Sequence, residues 1–156
     1  MRDSRFVTAL RGGSLNGFQH RQLMTWACAC VNHALHLYGE RSDERIRRAL
    51  GVGEAWVAGA ATVGDARKAS VDMLALAREL TNPIQIALVR ATGHAVATAH
   101  MADHSMGGAL YVIKAVNCAG KSMEEEQNWQ AEQLPLEVRD FVLEVMSHKA
   151  AHFKMK

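Results

Sequence analysis

Three of the chain's eight histidines, His94, His100 and His104, fall in the run Gly93 to Gly108, interleaved with small residues. The apolar spacing around them predicts one helix from Pro83 to about His104. At roughly 100° per residue, His100 and His104 then lie about 40° apart, with His94 about 80° from His104 on its other side. All three imidazoles would share one sector. An i, i+4 pair can hold a metal, and His100-Met101-Ala102-Asp103-His104 follows the H-x-x-E-H pattern with Asp in place of Glu. Asp103 is one methylene short and points well away from both imidazoles on the wheel, so it would reach a bound water poorly. His100 and His104 therefore stand as the candidate pair for a metal-dependent helical-bundle enzyme, with a further ligand from a neighbouring helix. Against this stands a plainer role. Ala95, Ala97, Ala99, Ala102, Gly107 and Gly108 put little bulk between backbones, so the imidazoles can hydrogen-bond between close helices. A third role is pH sensing, because protonating imidazoles held neutral in a buried network destabilises the fold.

Other chemical patterns are weaker. Ala115 to Ser122 fits a permissive phosphate-loop string, but that loop follows a strand, whereas Tyr111 to Ala119 has helical spacing. Cys28 and Cys30 are two apart, which on a helix points their side chains away from each other, and no second Cys/His pair lies at zinc spacing. Arg41, Arg45, Arg47 and Arg48 alternate with Glu40, Asp43 and Glu44, as on a solvated helix start. Glu124, Glu125 and Glu126 suit the positive end of a short helix. Trp26, Trp56 and Trp129 are expected as core anchors on separate helices. No nucleophile elbow or thiol-protease context connects the Ser, Cys and His residues.

The elements that must position these residues are helical. Among 156 residues, 49% are hydrophobic and 22% charged, enough for one globular core without disulfides. Eighteen basic against 16 acidic residues give a net charge of +2, too little for a nucleic-acid footprint. Met1 to Asn16 lacks a continuous apolar core, no run approaches membrane-spanning length, and three unpaired cysteines suit a reducing compartment. A cytoplasmic protein without nucleic-acid or membrane partners is the expectation. Helices are predicted from near Gly17 to Tyr38, after Ser42 or Asp43, from Asp65 to Leu80 behind a Thr62/Asp65 capping box, and from Pro83 behind Asn82. Gly107-Gly108 is expected to end or kink that fourth helix, with Ala109 to Ala119 continuing. Ser122/Glu125 and Pro135 open the last segments. The fold expected is all-α, a single compact bundle of about five to seven helices. Its parts would be an N-terminal extension at 1–16, the helical domain at 17–150 and a tail at 151–156.

The stretch Ala91 to His104 matches, nearly position for position, the core A-A-G-H-A-x-A-T-A-H-x-A-x-H, followed by Gly107-Gly108-Ala109-Leu110-Tyr111. Ala55-Trp56, Val63-Gly64-Asp65-Ala66-Arg67, and Glu126-Gln127-Asn128-Trp129-Gln130 ahead of Leu134-Pro135 extend the likeness. From Leu23 to about Leu143 the chain resembles the Imm-5-like family of bacterial immunity proteins. Leu37 to Arg48 departs from the family's proline-bearing connection. The resemblance implies a non-catalytic all-α protein of a polymorphic toxin system that binds and neutralises a cognate toxin, with no cofactor. It makes Gly93, His94, Thr98, His100, His104, Gly107 and Gly108 a packing signature. The toxin and its contact residues are not legible in the sequence. A helical scaffold or homo-oligomer is the remaining alternative, and it requires only an exposed apolar helix face.

Overall fold

In the computed structural model, which describes residues 2–39 and 43–153, helix starts coincide with side chains able to accept from orphan amides. Asn16 and Gln19 form a reciprocal box at the start of α1, Gly17–Ala34. A 3-10 turn, Leu35–Tyr38, prolongs α1 to Gly39, whose φ of +138° favours glycine. Asp43 caps α2, Glu44–Val57. The Thr62/Asp65 box opens α3, Val63–Glu79. Asn82 accepts from Ile84 and Gln85 at the head of α4, Pro83–Ala97, with Pro83 in the first turn. α5 spans His104–Cys118; α6, Met123–Gln133, is capped by Ser122; α7, Leu136–His152, follows Pro135. These seven helices, with no strand among the described residues, make an all-α bundle. The connection at Glu40, Arg41 and Ser42, where a departure from the family pattern was expected, lies outside the described residues, as do the last three residues of the expected tail.

The helix predicted from Pro83 to about His104 is instead broken over residues 98–103. α4 and α5 fold back on each other as an antiparallel pair, and Gly107 and Gly108 lie inside α5 rather than ending α4. Packing explains the difference. A Cβ on Gly108 would stand 3.3 Å from the Ala95 amide nitrogen and 3.4 Å from the Ala91 carbonyl oxygen, so the two backbones meet with nothing between them. Both arms carry small residues on the facing sides, and only folding back buries one against the other. Periodicity within 83–104 is blind to that partner.

α4 is the central element. It touches α5, α3, α1 and α2, and buries Leu88, Val89, Thr92 and Val96 completely. This explains its apolar character all round. α6 contrasts with it, burying only Glu126 and Gln130 below the surface. Polar bonds fasten it, two of them at Gln130: the Trp26 indole N–H donates to the Gln130 carbonyl at 2.9 Å, and the Gln130 amide donates to the Ala109 carbonyl at 3.1 Å. Trp26 is the fully buried tryptophan, while Trp56 and Trp129 are half-buried.

Residues 2–16 pack onto the bundle through Phe6 and Leu15, only 1% and 2% exposed. Phe6 sets its ring edge-on to Phe141 of α7, and Arg5 pairs with Glu144 at 2.9 Å. Arg2 pairs with Asp103 at the α4–α5 corner, 3.4 Å away. At the other terminus α7 runs to His152, and the Phe153 ring meets Tyr111 edge-on at 4.9 Å.

Candidate functional site

The α4–α5 corner brings the three motif histidines together, though not on one helical wheel. His94 sits in the last turn of α4, His100 in the corner, and His104 is the first residue of α5. His94 Nδ1 lies 3.1 Å from His104 Nδ1, and the His100 and His104 rings are 5.6 Å apart. One of two nitrogens this close must donate and the other accept, so the pair holds a single proton between them. The His94 ring also leans on Tyr111, centroid to centroid 5.1 Å, and fills the space beside Gly107, where a Cβ would stand 2.6 Å from His94 Nδ1. Gly107 thus makes room for the imidazole, while Gly108 makes room for the α4 backbone. Gly93 plays the same part toward α3, its missing Cβ falling 3.2 Å from Met73 Cβ.

Thr98 is fully buried at the corner. Its carbonyl meets His20 Nε2 of α1 at 2.6 Å, so the turn is tied to a third helix. The His20 ring is edge-on to Trp56 of α2 at 4.8 Å. His20 carries no motif signal in the sequence, because its partner is a main-chain carbonyl 78 residues away. A second polar cluster escaped notice for the same reason. His33 Nδ1 lies 3.1 Å from a carboxylate oxygen of Glu126, which is 7% exposed, and the His33 ring stacks on Trp129 at 3.5 Å. Of the acidic run expected to serve the α6 start, Glu126 is committed to this interhelical pair.

Burial governs the protonation of the corner. It pushes His94 down to about 4, helped by His104, Lys149 and Arg90. Burial also lowers His100, with His104, Arg67 and Arg11 adding to the effect. His104 is lowered by burial, with Lys149 and Arg2 assisting and Asp103 opposing. His20 is lowered by burial and Arg21 against the pull of the Thr98 carbonyl. These imidazoles are neutral near pH 7. Because their folded values fall below the ordinary 6.5, the unfolded chain binds more protons between pH 6.5 and about 4. Stability is therefore full above pH 6.5 and is lost as pH falls through that window. His94 alone contributes on the order of 3 kcal/mol. Urea unfolding at pH 7 and pH 4.5 should show this loss, and His94→Gln should flatten it. Of the carboxylates held low, Asp3, Asp43 and Asp65 act around and below their ordinary 3.8, under most of this window, and Glu137, held below its ordinary 4.5 by its own backbone amide and Gln22, adds to the loss only at the acid edge. Equal stability at the two pH values would refute the assignment.

Neutral imidazoles are in the right state to bind a metal, but two donors do not fill a site. Among the described residues no three His, Cys, Asp or Glu side chains meet in a geometry that holds a metal ion. Cys28 and Cys30 are buried free thiols; burial and Glu54 push Cys28 up to about 12, and burial holds Cys30 well above its ordinary value. That suits packing rather than redox chemistry. The phosphate-loop-like string occupies the end of α5, where Gly120 at φ +73° turns the chain. A separate groove of ≈ 640 Å³ runs between α2 and α3, floored by Ala49, Val52, Met73 and Leu76.

None of the described helices is long and apolar enough to cross a membrane. Neither a curated protein nor a solved structure matches the chain. A family profile does, over residues 13–137, which takes in the whole corner together with His20, Trp56, His33 and Trp129. By that match over most of its length, the chain belongs to the family described as Imm-5 like putative immunity proteins.

Proposed function

We propose that this protein protects a bacterial cell by binding a cognate toxin in the cytoplasm and neutralising it without catalysis. The family match across residues 13–137 carries the reading. The fold suits the task. The α4–α5 contact is made backbone to backbone, so the scaffold presents its surfaces preorganised and little ordering accompanies binding. The histidine corner supports the shape of that scaffold rather than a reaction, since His94 and His104 engage each other and Tyr111.

Coexpression with the toxic product of an adjacent gene is the test. The expected result is restored growth, a stoichiometric complex on gel filtration, and a toxin of unchanged mass after separation. Loss of protection and of binding would sink the pairing. Protection accompanied by a covalent change in the toxin would replace neutralisation by binding with catalysis.

A further inference from the structure

α3 carries apolar residues on two faces, and the core accounts for one of them. Ala66, Ala69, Met73, Leu76 and Ala77 are buried. Val63, Val71 and Leu74 are 41%, 58% and 53% exposed, and together they make up three of the seven large apolar side chains that stand out in solvent among the described residues, so this exposure is gathered rather than scattered. A surface helix ordinarily sets one apolar stripe on the core and polar side chains opposite. Arg67, Val71, Leu74 and Arg78 follow one another at i, i+4, i+7 and i+11, which holds all four within about 60° of the helix circumference and spreads them along about 16 Å of α3. They form a ridge with an apolar centre and a guanidinium at each end.

Charge on α3 is sorted by side. Its carboxylates, Asp65, Asp72 and Glu79, all border the groove toward α2, more than about 100° round the helix from the centre of the ridge. Each is engaged there: Asp65 in the Thr62 cap, Asp72 with Lys68 at 3.6 Å, and Glu79 with Arg45 at 3.1 Å. Arg67 and Arg78 are exposed and form no ion pair among the described residues. α4 continues the same face. Residues 80–82 turn the chain back, so α3 and α4 run antiparallel, and Gly93 packs on Ser70 and Met73. Arg90, one turn before Gly93, is therefore level with Leu74, one turn after Ser70. Arg90 is exposed, and α4 contains no carboxylate to balance it.

We infer that the ridge of Arg67, Val71, Leu74 and Arg78, with Arg90 beside it, is the surface on which this protein receives the cognate toxin, and that the toxin meets it with an apolar cleft flanked by carboxylates. The inference rests on the reading of the protein as one that neutralises a toxin by binding it. Grouped apolar side chains with a polar rim mark interaction sites, and Val71 and Leu74 supply the part that loses water on contact. Guanidiniums at the rim match carboxylates bidentately and steer an acidic partner onto the ridge. A second copy fits poorly. Pairing two ridges antiparallel brings four arginines together with no carboxylate, since every acid of α3 lies on the groove side. A bilayer fits poorly too, because a helix lying on a membrane turns its main apolar face to lipid, whereas that of α3 is turned into the core. Capped at its start and packed on α4, α3 offers the ridge already ordered.

The test uses the full chain and the toxic product of the adjacent gene, with protection scored in cells and affinity and association rate measured on the purified pair. Arg67→Glu combined with Arg78→Glu should weaken binding by about a hundredfold, because like charges then face the toxin's carboxylates. Leu74→Ala should weaken it by about tenfold, as for an anchor residue. Association of the unsubstituted protein should slow as salt rises, and less steeply once both arginines are glutamine. Lys68→Gln, on the groove side of the same helix, should leave affinity within about twofold. These four positions are all exposed, so the fold should hold. Hydroxyl-radical footprinting of the unsubstituted pair gives a reading independent of any variant, with oxidation of Leu74 suppressed in the complex. If the native chain neither binds nor protects, the immunity reading fails and the ridge falls with it. If the native chain binds while the α3 variants keep its affinity, or while Leu74 stays open to oxidation, the ridge alone is overturned. Self-association on gel filtration, or cosedimentation with phosphatidylglycerol vesicles, that the paired Arg67→Glu and Arg78→Glu substitutions abolish would also overturn it, giving the face to a second copy or to a membrane.

Discussion

Replacing Gly108 by valine is expected to destabilise the protein by about 3 kcal/mol, the upper part of the range for overpacking a closed interior. The Cβ would meet the Ala95 nitrogen, the Ala91 carbonyl oxygen and Ala95 Cα at 3.3–3.4 Å, all of them α4 backbone atoms that cannot rotate aside. The two γ-carbons beyond it have no space, so α4 and α5 must separate. For a domain of this size that corresponds to a fall in Tm of about 6–12 °C, measurable by calorimetry. Helix propensity works in the opposite direction, by up to about 1 kcal/mol, and Gly51→Ala isolates that effect. Gly51 lies in α2 with nothing within 4 Å of an added Cβ, so alanine there should raise Tm by a few degrees. If Gly108→Val is as stable as the native chain, the close α4–α5 contact is not what holds the hairpin shut.

Trp26→Ala should have a comparable or larger effect, about 4 kcal/mol and about 8–16 °C in Tm, and its consequences should concentrate on α6. Trp26 is 2% exposed, so its removal opens a large cavity between α1 and the helices packed on it. It also removes the indole donor to Gln130, one of the carbonyls in the last turn of α6 that a helix cannot satisfy by itself. α6 has little apolar surface to hold it otherwise, because its two fully buried residues are the polar Glu126 and Gln130. Trp26→Phe keeps most of the ring volume and deletes the donor, at about 1–2 kcal/mol. Hydrogen exchange should then show α6 amides losing protection ahead of those of α4 in both variants. Uniform loss across the chain, or a Phe variant indistinguishable from the native protein, would rule out the indole as the anchor of α6.

Much of this architecture is written locally. Asn82-Pro83, Thr62 with Asp65, and Ser122 each act within four residues, so these caps could be read from the chain and recur in the structure, with α3 opening at Val63, directly after its Thr62 cap, rather than at Asp65. The family, too, was legible, because the Ala91 to Tyr111 pattern is contiguous. The tertiary corner was not. A wheel drawn through His94, His100 and His104 assumes one helix axis, whereas the contacts that break it, Gly108 against Ala91 and Ala95 and His20 on the Thr98 carbonyl, come from outside the segment.

By itself, then, the sequence determined an all-helical chain, its capped helix starts, its family and the residues of its histidine motif. The tertiary structure alone decided what those residues do: that Gly107 admits an imidazole and Gly108 a backbone, that Glu126 belongs to His33, and that His20, Trp56 and His100, far apart in the chain, line one pocket. The division has a physical basis. Capping and periodicity arise between residues within a turn of each other, while close packing, burial and the shifts in protonation they produce depend on which distant surfaces are pressed together.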